Sequence, residues 1–152
     1  MGNICRSPTG EGIFRQLIDD QEFTDIVRVD SAGTIGYHAG KPADFRMRQA
    51  AAAKGYRLDS ESRQVTVDDF VKFDLIIAMD RENLSDLKSL RRQVNEENIA
   101  ELKLLSDFLG DQWPTDVPDP YYGGEDGFQY VVEMIEDACP AILASLKLES
   151  SE

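Results

Sequence analysis

A doubly wound sheet places a phosphate-gripping loop between a central strand and the helix that follows it. The first eight residues of this chain supply such a loop and a helix entrance, with no strand ahead of them. Gly2, Asn3, Ile4, Cys5, Arg6 and Ser7 offer glycine where backbone must approach oxygens, successive amide N–H groups, and an arginine that can fork two oxygens at a helix N-terminus. Ser7 followed by Pro8 reads as an N-cap with proline in the first helical turn, where a missing N–H costs little. A frayed turn entering an ordinary helix needs no different residues, so the rest of the chain must decide between the two.

The remaining pattern alternates helix and strand. Ser7 to Asp20 sets Ile13, Phe14, Leu17 and Ile18 on one helical face, and Ile26 to Ser31 follows as a short apolar run that reads as a strand. Asp44 to Lys54 is an Ala-rich helix stopped by Gly55, and Thr66 with Asp69 resembles a capping box for a brief helix. Asp74 to Met79 reads as a fully buried strand, and Asp80 caps a helix carrying Leu84, Leu87 and Leu90. Leu102 to Leu105 is the last strand before a Pro-rich segment at 114 to 120.

From Asp126 to Leu148 an apolar stripe at helical spacing includes Val131, Ile135, Cys139 and Ile142, with Pro140 predicting a kink or a restart. Such alternation favours an α/β sheet with parallel strands and helices on both faces, although only three strands are countable.

At 152 residues the chain fits one domain, residues 1 to 152, large enough to bury a core without staples. A formal net charge of −13 disfavours nucleic acid and anionic membranes, so an anionic substrate must be attracted locally. Cys5 and Cys139 are too few for a disulfide framework and have no metal-ligand spacing, which predicts a reducing cytoplasmic setting, no metal and no cofactor. No apolar run approaches the roughly 18 to 20 residues of a membrane span.

Gly-Asn-Ile-Cys-Arg-Ser-Pro at 2 to 8, Asp-Ser-Ala-Gly-Thr at 30 to 34, Arg-Gln-Val-Thr at 63 to 66, Phe-Asp-Leu-Ile-Ile-Ala-Met-Asp at 73 to 80 and Asp-Pro-Tyr-Tyr-Gly at 119 to 123 resemble, in order and spacing, the low-molecular-weight protein tyrosine phosphatases. The resemblance implies a three-layer α/β sandwich with a four-stranded parallel sheet of order 2-1-3-4. The first strand, central in that order, is missing from this chain, and a nucleophilic cysteine belongs immediately ahead of Met1. It further implies hydrolysis of phosphotyrosine monoesters on proteins through a phosphocysteine intermediate, with this chain inactive for want of its nucleophile.

The resemblance also distributes roles. Arg6 corresponds to the arginine that binds two phosphoryl oxygens, and Asp119, between Pro118 and Pro120, to the general acid. Gly2, Asn3, Ile4, Cys5 and Ser7 complete the oxyanion cradle, while Tyr37, Tyr121 and Tyr122 form aromatic walls for a substrate ring. Where the family has a histidine supporting the loop, this chain has Ser60. Cys5 lies next to Arg6 and so cannot sit beneath the cradle as a substitute nucleophile. Two other readings remain open: a noncatalytic phosphate or phosphotyrosine binding module, and a phosphoarginine phosphatase.

Overall fold

The computed structural model describes residues 5–34, 36, 39–120 and 125–146. Among the described residues, five α-helices and two strands follow in the order α1 (Arg6–Asp20), α2 (Phe45–Ala52), α3 (Asp69–Lys72), β1 (Leu75–Ala78), α4 (Arg81–Arg91), β2 (Glu101–Leu104) and α5 (Glu125–Ser145), with a 3₁₀ turn at Leu105–Phe108 after β2. The strands pair in parallel, Leu75 opposite Glu101 and Ala78 opposite Leu104.

Alternation along the strands explains the layers. Ile76, Ala78, Leu102 and Leu104 face one way and join Phe70, Leu87 and Ala100 beneath α3 and α4. Leu75 and Ile77 face the other way, toward the large core formed by Ile13, Phe14 and Ile18 of α1, Met47 of α2 and Val131, Ile135 and Ile142 of α5. Helices therefore cover both faces of a parallel sheet, as buried parallel strands require. Gly12 lets α1 close against the chain at 57–58, since a Cβ there would stand 2.7 Å from the Arg57 carbonyl oxygen.

Local signals account for most boundaries. The Asp44 side chain accepts from the N–H groups of Arg46 and Met47, and Gly55 takes φ +88 after α2. Asp80 caps α4 by accepting from the Asn83 N–H at 2.7 Å. Thr66 and Asp69 form half of the expected box: the Thr66 N–H donates to Asp69 Oδ2 at 2.8 Å, while α3 itself begins at Asp69 with Asp68 as its cap.

Four expectations need correction. Ser7 is not the N-cap of the first helix; Cys5 holds that position, without a side-chain capping bond, and Arg6 is the first helical residue. The run Ile26 to Ser31 forms no ladder, and its neighbourhood pairs only through the parallel bridge Gly33–Gln64, because no strand lies beside it among the described residues. The strand at 75–78 is not fully buried: only Ala78 is, and Leu75, Ile76 and Ile77 stay half-buried beside a cavity. Pro140 does not start the last helix over: that helix runs from Glu125 to Ser145 with Pro140 inside it and keeps Cys139 in the core.

Phe70 is fully enclosed at the centre of the smaller cluster. Phe70→Ala is expected to cost about 3–5 kcal/mol, read as a lower urea midpoint. An unchanged midpoint would show that this cluster contributes little to stability.

Candidate active site

The site is built around the first residue of α1. Arg6 is 5% exposed, and a buried guanidinium must find acceptors or lose much of the stability it is embedded in. Its Nη1 donates to Asp80 Oδ2 at 2.6 Å and to the Val117 carbonyl at 2.8 Å, and Nη2 reaches Asn83 Oδ1 at 3.5 Å. One side chain thereby joins the start of α1, the start of α4 and the Pro-rich loop. The same loop is tied to the end of β1, where the Val117 N–H donates to the Met79 carbonyl at 2.9 Å.

Asp119 lies two residues beyond Val117, between two prolines that fix φ and carry no N–H. Arg6 and Asp119 line one small cavity together with Asp80, Glu82 and residues 116–118. Ser7 is half-buried and lines the larger cavity beside Cys5 and Arg6. Gly2, Asn3, Ile4, Tyr37, Tyr121 and Tyr122 lie outside the described residues, as does His38.

The thiols occupy unreactive places. Cys5 is buried at the start of α1, and burial first, then the negative charges of Asp44 and Asp119, push its pKa up to about 12. Cys139 sits in the α5 core, where burial and then Glu136 push it up to about 12 as well. Among the described residues, no cluster of three or more His, Cys, Asp or Glu side chains is placed to hold a metal ion.

The sequence reading had missed how Arg6 is held. Asp80 was legible only as a helix cap, yet its second oxygen takes the Arg6 guanidinium while the first accepts from Asn83 N–H. Asp80 and Asn83, three apart at a helix entrance, were the available signal. A second pair went unnoticed: the Arg81 backbone N–H donates to Asp116 Oδ1 at 2.9 Å, and its guanidinium contacts both oxygens at 3.0–3.3 Å. Asp116 thus sits on the N-terminus of α4, where anions are favoured. The Arg81 guanidinium, then its backbone N–H, hold the Asp116 carboxyl below the usual carboxylate range.

A buried arginine at a helix N-terminus, beside a proline-framed carboxyl group on an α/β sheet with parallel strands, is an arrangement suited to the class of enzymes that hold an anion at a helix entrance. The comparisons narrow that class. The profile described as "Low molecular weight phosphotyrosine protein phosphatase" matches residues 1–152, so the chain belongs to that family, whose members are hydrolases. It is 41% identical over 151 residues to a low molecular weight protein-tyrosine-phosphatase of Streptomyces coelicolor, covering 96% of this chain and 89% of that protein. The crystal structure of a protein tyrosine phosphatase from Entamoeba histolytica, with Hepes in its active site, is similar at TM-score 0.89 and 41% identity, covering 97% of this chain and 92% of that one. A Drosophila arginine phosphatase is similar at TM-score 0.90 and 29% identity, covering 99% and 96%.

Two outcomes follow from the geometry. At pH 8 a thiol titrating near 12 is thiolate in only about one molecule in ten thousand, so Cys5 and Cys139 should resist iodoacetamide until urea unfolds the chain. Fast alkylation of either in the folded state would contradict their placement. The Asp116 pKa is lowered, so its clamp is complete above the ordinary carboxylate range and is lost as pH falls through the depressed value. Arg81→Gln should speed amide exchange at Val117 about threefold while leaving the urea midpoint nearly unchanged, as an exposed pair implies.

Proposed function

We propose that this chain, residues 1–152, is the phosphatase domain of a cytoplasmic protein-tyrosine phosphatase acting on phosphotyrosine monoesters of proteins, without metal or cofactor. One observation carries the reading: the anion-binding Arg6 is hydrogen-bonded to the loop that presents Asp119, so the phosphate grip and the proton donor move as one unit. The family's sheet, four parallel strands in the order 2-1-3-4, would place its first strand beside β1, where this chain has a cavity. The nucleophilic sulfur would stand at the end of that strand, immediately ahead of Met1.

In this reading a thiolate attacks phosphorus in line with the leaving oxygen. The P–S bond forms as the P–O bond breaks, and Asp119 gives its proton to the departing phenolate. Water then attacks the phosphocysteine, its proton passing to the Asp119 carboxylate, and the P–S bond breaks to return thiolate and phosphate. Arg6 spreads its charge over two equatorial oxygens throughout, with the amides of Gly2, Asn3, Ile4, Cys5 and Ser7 completing the cradle. Tyr37, Tyr121 and Tyr122 would flank the aryl ring.

Cys5 supplies no substitute nucleophile, because its thiol is buried and titrates near 12. The chain of this sequence alone is therefore expected to leave aryl phosphates intact. A version extended upstream by about ten residues ending in cysteine should hydrolyse p-nitrophenyl phosphate at pH 5 to 6. In that version Asp119→Asn should lower kcat about 10²- to 10⁴-fold, and Arg6→Ala about 10²- to 10³-fold. Turnover by the unextended chain would contradict the assignment. Preference for phosphoarginine over phosphotyrosine in the extended version would shift the substrate class, and tight phosphotyrosine binding by the unextended chain without turnover would favour a binding module.

A further inference from the structure

The chain carries 29 acidic side chains against 16 basic ones, yet residues 41–57 reverse the balance, with Lys41, Arg46, Arg48, Lys54 and Arg57 against the one carboxylate of Asp44. Lys54 and Arg57, past the far end of α2, lie against Glu136 and Asp59. Lys41, Arg46 and Arg48 stand at the head of the helix or just before it. The Asp44 side chain is 15% exposed and caps α2, accepting from the Arg46 and Met47 N–H groups. The outward charge of this turn is therefore positive, on a chain whose net charge is −13.

An aromatic ring accompanies the charge. Phe45 is 61% exposed, more than any other large apolar side chain among the described residues. Arg48, also exposed, is anchored by its Nε, which donates to the Ala43 carbonyl at 3.0 Å, and its guanidinium lies 5.5 Å from the centre of the Phe45 ring. A ring and a forked cation held together at the surface offer an apolar face and a carboxylate partner in one place.

This turn borders the candidate active site. Arg46 lies 4.8 Å from the centre of the Phe128 ring, in the first turn of α5. In that same turn a Cβ on Gly127 would come within 3.9 Å of the Pro120 Cα, so the turn rests against the residue that follows Asp119. The charges of Asp44, Asp119 and Arg46 all reach the Cys5 thiol, next to Arg6. The small cavity at Arg6 is edged instead by Asp80, Glu82 and Asp116. The site thus has one acidic flank and one that is basic and aromatic.

We propose that Phe45, Arg46 and Arg48 form a docking strip that selects phosphotyrosyl peptides carrying Asp or Glu beside the phosphotyrosine. The inference rests on the phosphatase reading for the phosphotyrosine and adds the chemistry of its neighbours. Arg48 takes a peptide carboxylate with its fork while Phe45 covers the aliphatic stem beside it. The net charge of −13 works the other way, since it repels an acidic peptide and draws a basic one. Charges more than about 8 Å away are largely screened at physiological salt, so the strip decides the preference.

The probes are two fluorescein-labelled peptides, Asp-Glu-Asp-X-Glu-Asp-Glu and Lys-Arg-Lys-X-Arg-Lys-Arg, where X is phosphonomethylphenylalanine, a stand-in for phosphotyrosine that needs no nucleophile to be bound. Fluorescence anisotropy with the intact chain, at about 0.15 M salt, is expected to show the acidic peptide bound at least about fivefold more tightly, as one or two exposed ion pairs imply. Arg48→Glu should bring the ratio to one or below, and Arg48→Lys should keep its direction. A ratio of two affinities on one sample does not depend on how much of that sample is folded. Equal affinities, a preference for the basic peptide, a ratio untouched by Arg48→Glu, or no binding of either peptide would overturn the strip. The acidic peptide with plain tyrosine at X separates the two readings. Binding as tight as that of the phosphonate, and weakened by Arg48→Glu, supports the strip and counts against a phosphate site at Arg6. Tight and equal binding of both phosphonates, lost with plain tyrosine, supports the phosphate site and overturns the strip.

Discussion

Arg6 is the point on which the rest of the arrangement depends. A guanidinium with 5% exposure cannot be left uncompensated, and the chain compensates it with Asp80 from the entrance of α4 and the Val117 carbonyl from the Pro-rich loop. Removing one member of such a pair typically costs about 3–5 kcal/mol, so these contacts hold structure as well as chemistry. Three segments far apart in sequence are fixed to one another by a single side chain. The carboxyl group of Asp119 then inherits its position from Val117, whose backbone is bonded on both sides.

The sheet stands in contrast to this tightly held corner. Two apolar clusters cover opposite faces of β1 and β2, yet among the described residues the strand edge away from β2 opens onto a cavity. Half-burial of Leu75, Ile76 and Ile77 follows directly from that opening. So does the lack of a ladder at 26–31, since an extended segment separated from its neighbour by a cavity has nothing with which to exchange hydrogen bonds. Chemistry and architecture thus meet at Asn83, which contacts Arg6 with one amide atom and leaves the other unpartnered beside the cavity.

Much of this was readable from residues alone, for physical reasons that differ by element. Asp80 as a cap, Gly55 as a left-handed stop and the stripe along α5 are local signals, and local hydrogen bonds or periodicity decide them. Ile26 to Ser31 has the composition of a strand, but a ladder also needs a neighbour, which composition does not report. Pro140 showed the opposite failure: packing along α5 holds the helix together through a residue that removes one of its hydrogen bonds. Resemblance alone singles out Arg6 and Asp119, whereas the Arg6–Asp80–Val117 connection and the Arg81–Asp116 clamp join residues 35 to 111 positions apart and belong to tertiary structure.

The most direct test of the central claim is a crystal structure of the chain soaked with tungstate, a tetrahedral stand-in for phosphate. The account predicts the anion at the N-terminus of α1, bonded to the Arg6 guanidinium, with the Asp119 carboxyl facing it and the bonds to Asp80 and Val117 retained. Tungstate ordered elsewhere, with Arg6 and Asp119 untouched at saturating concentration, would contradict it.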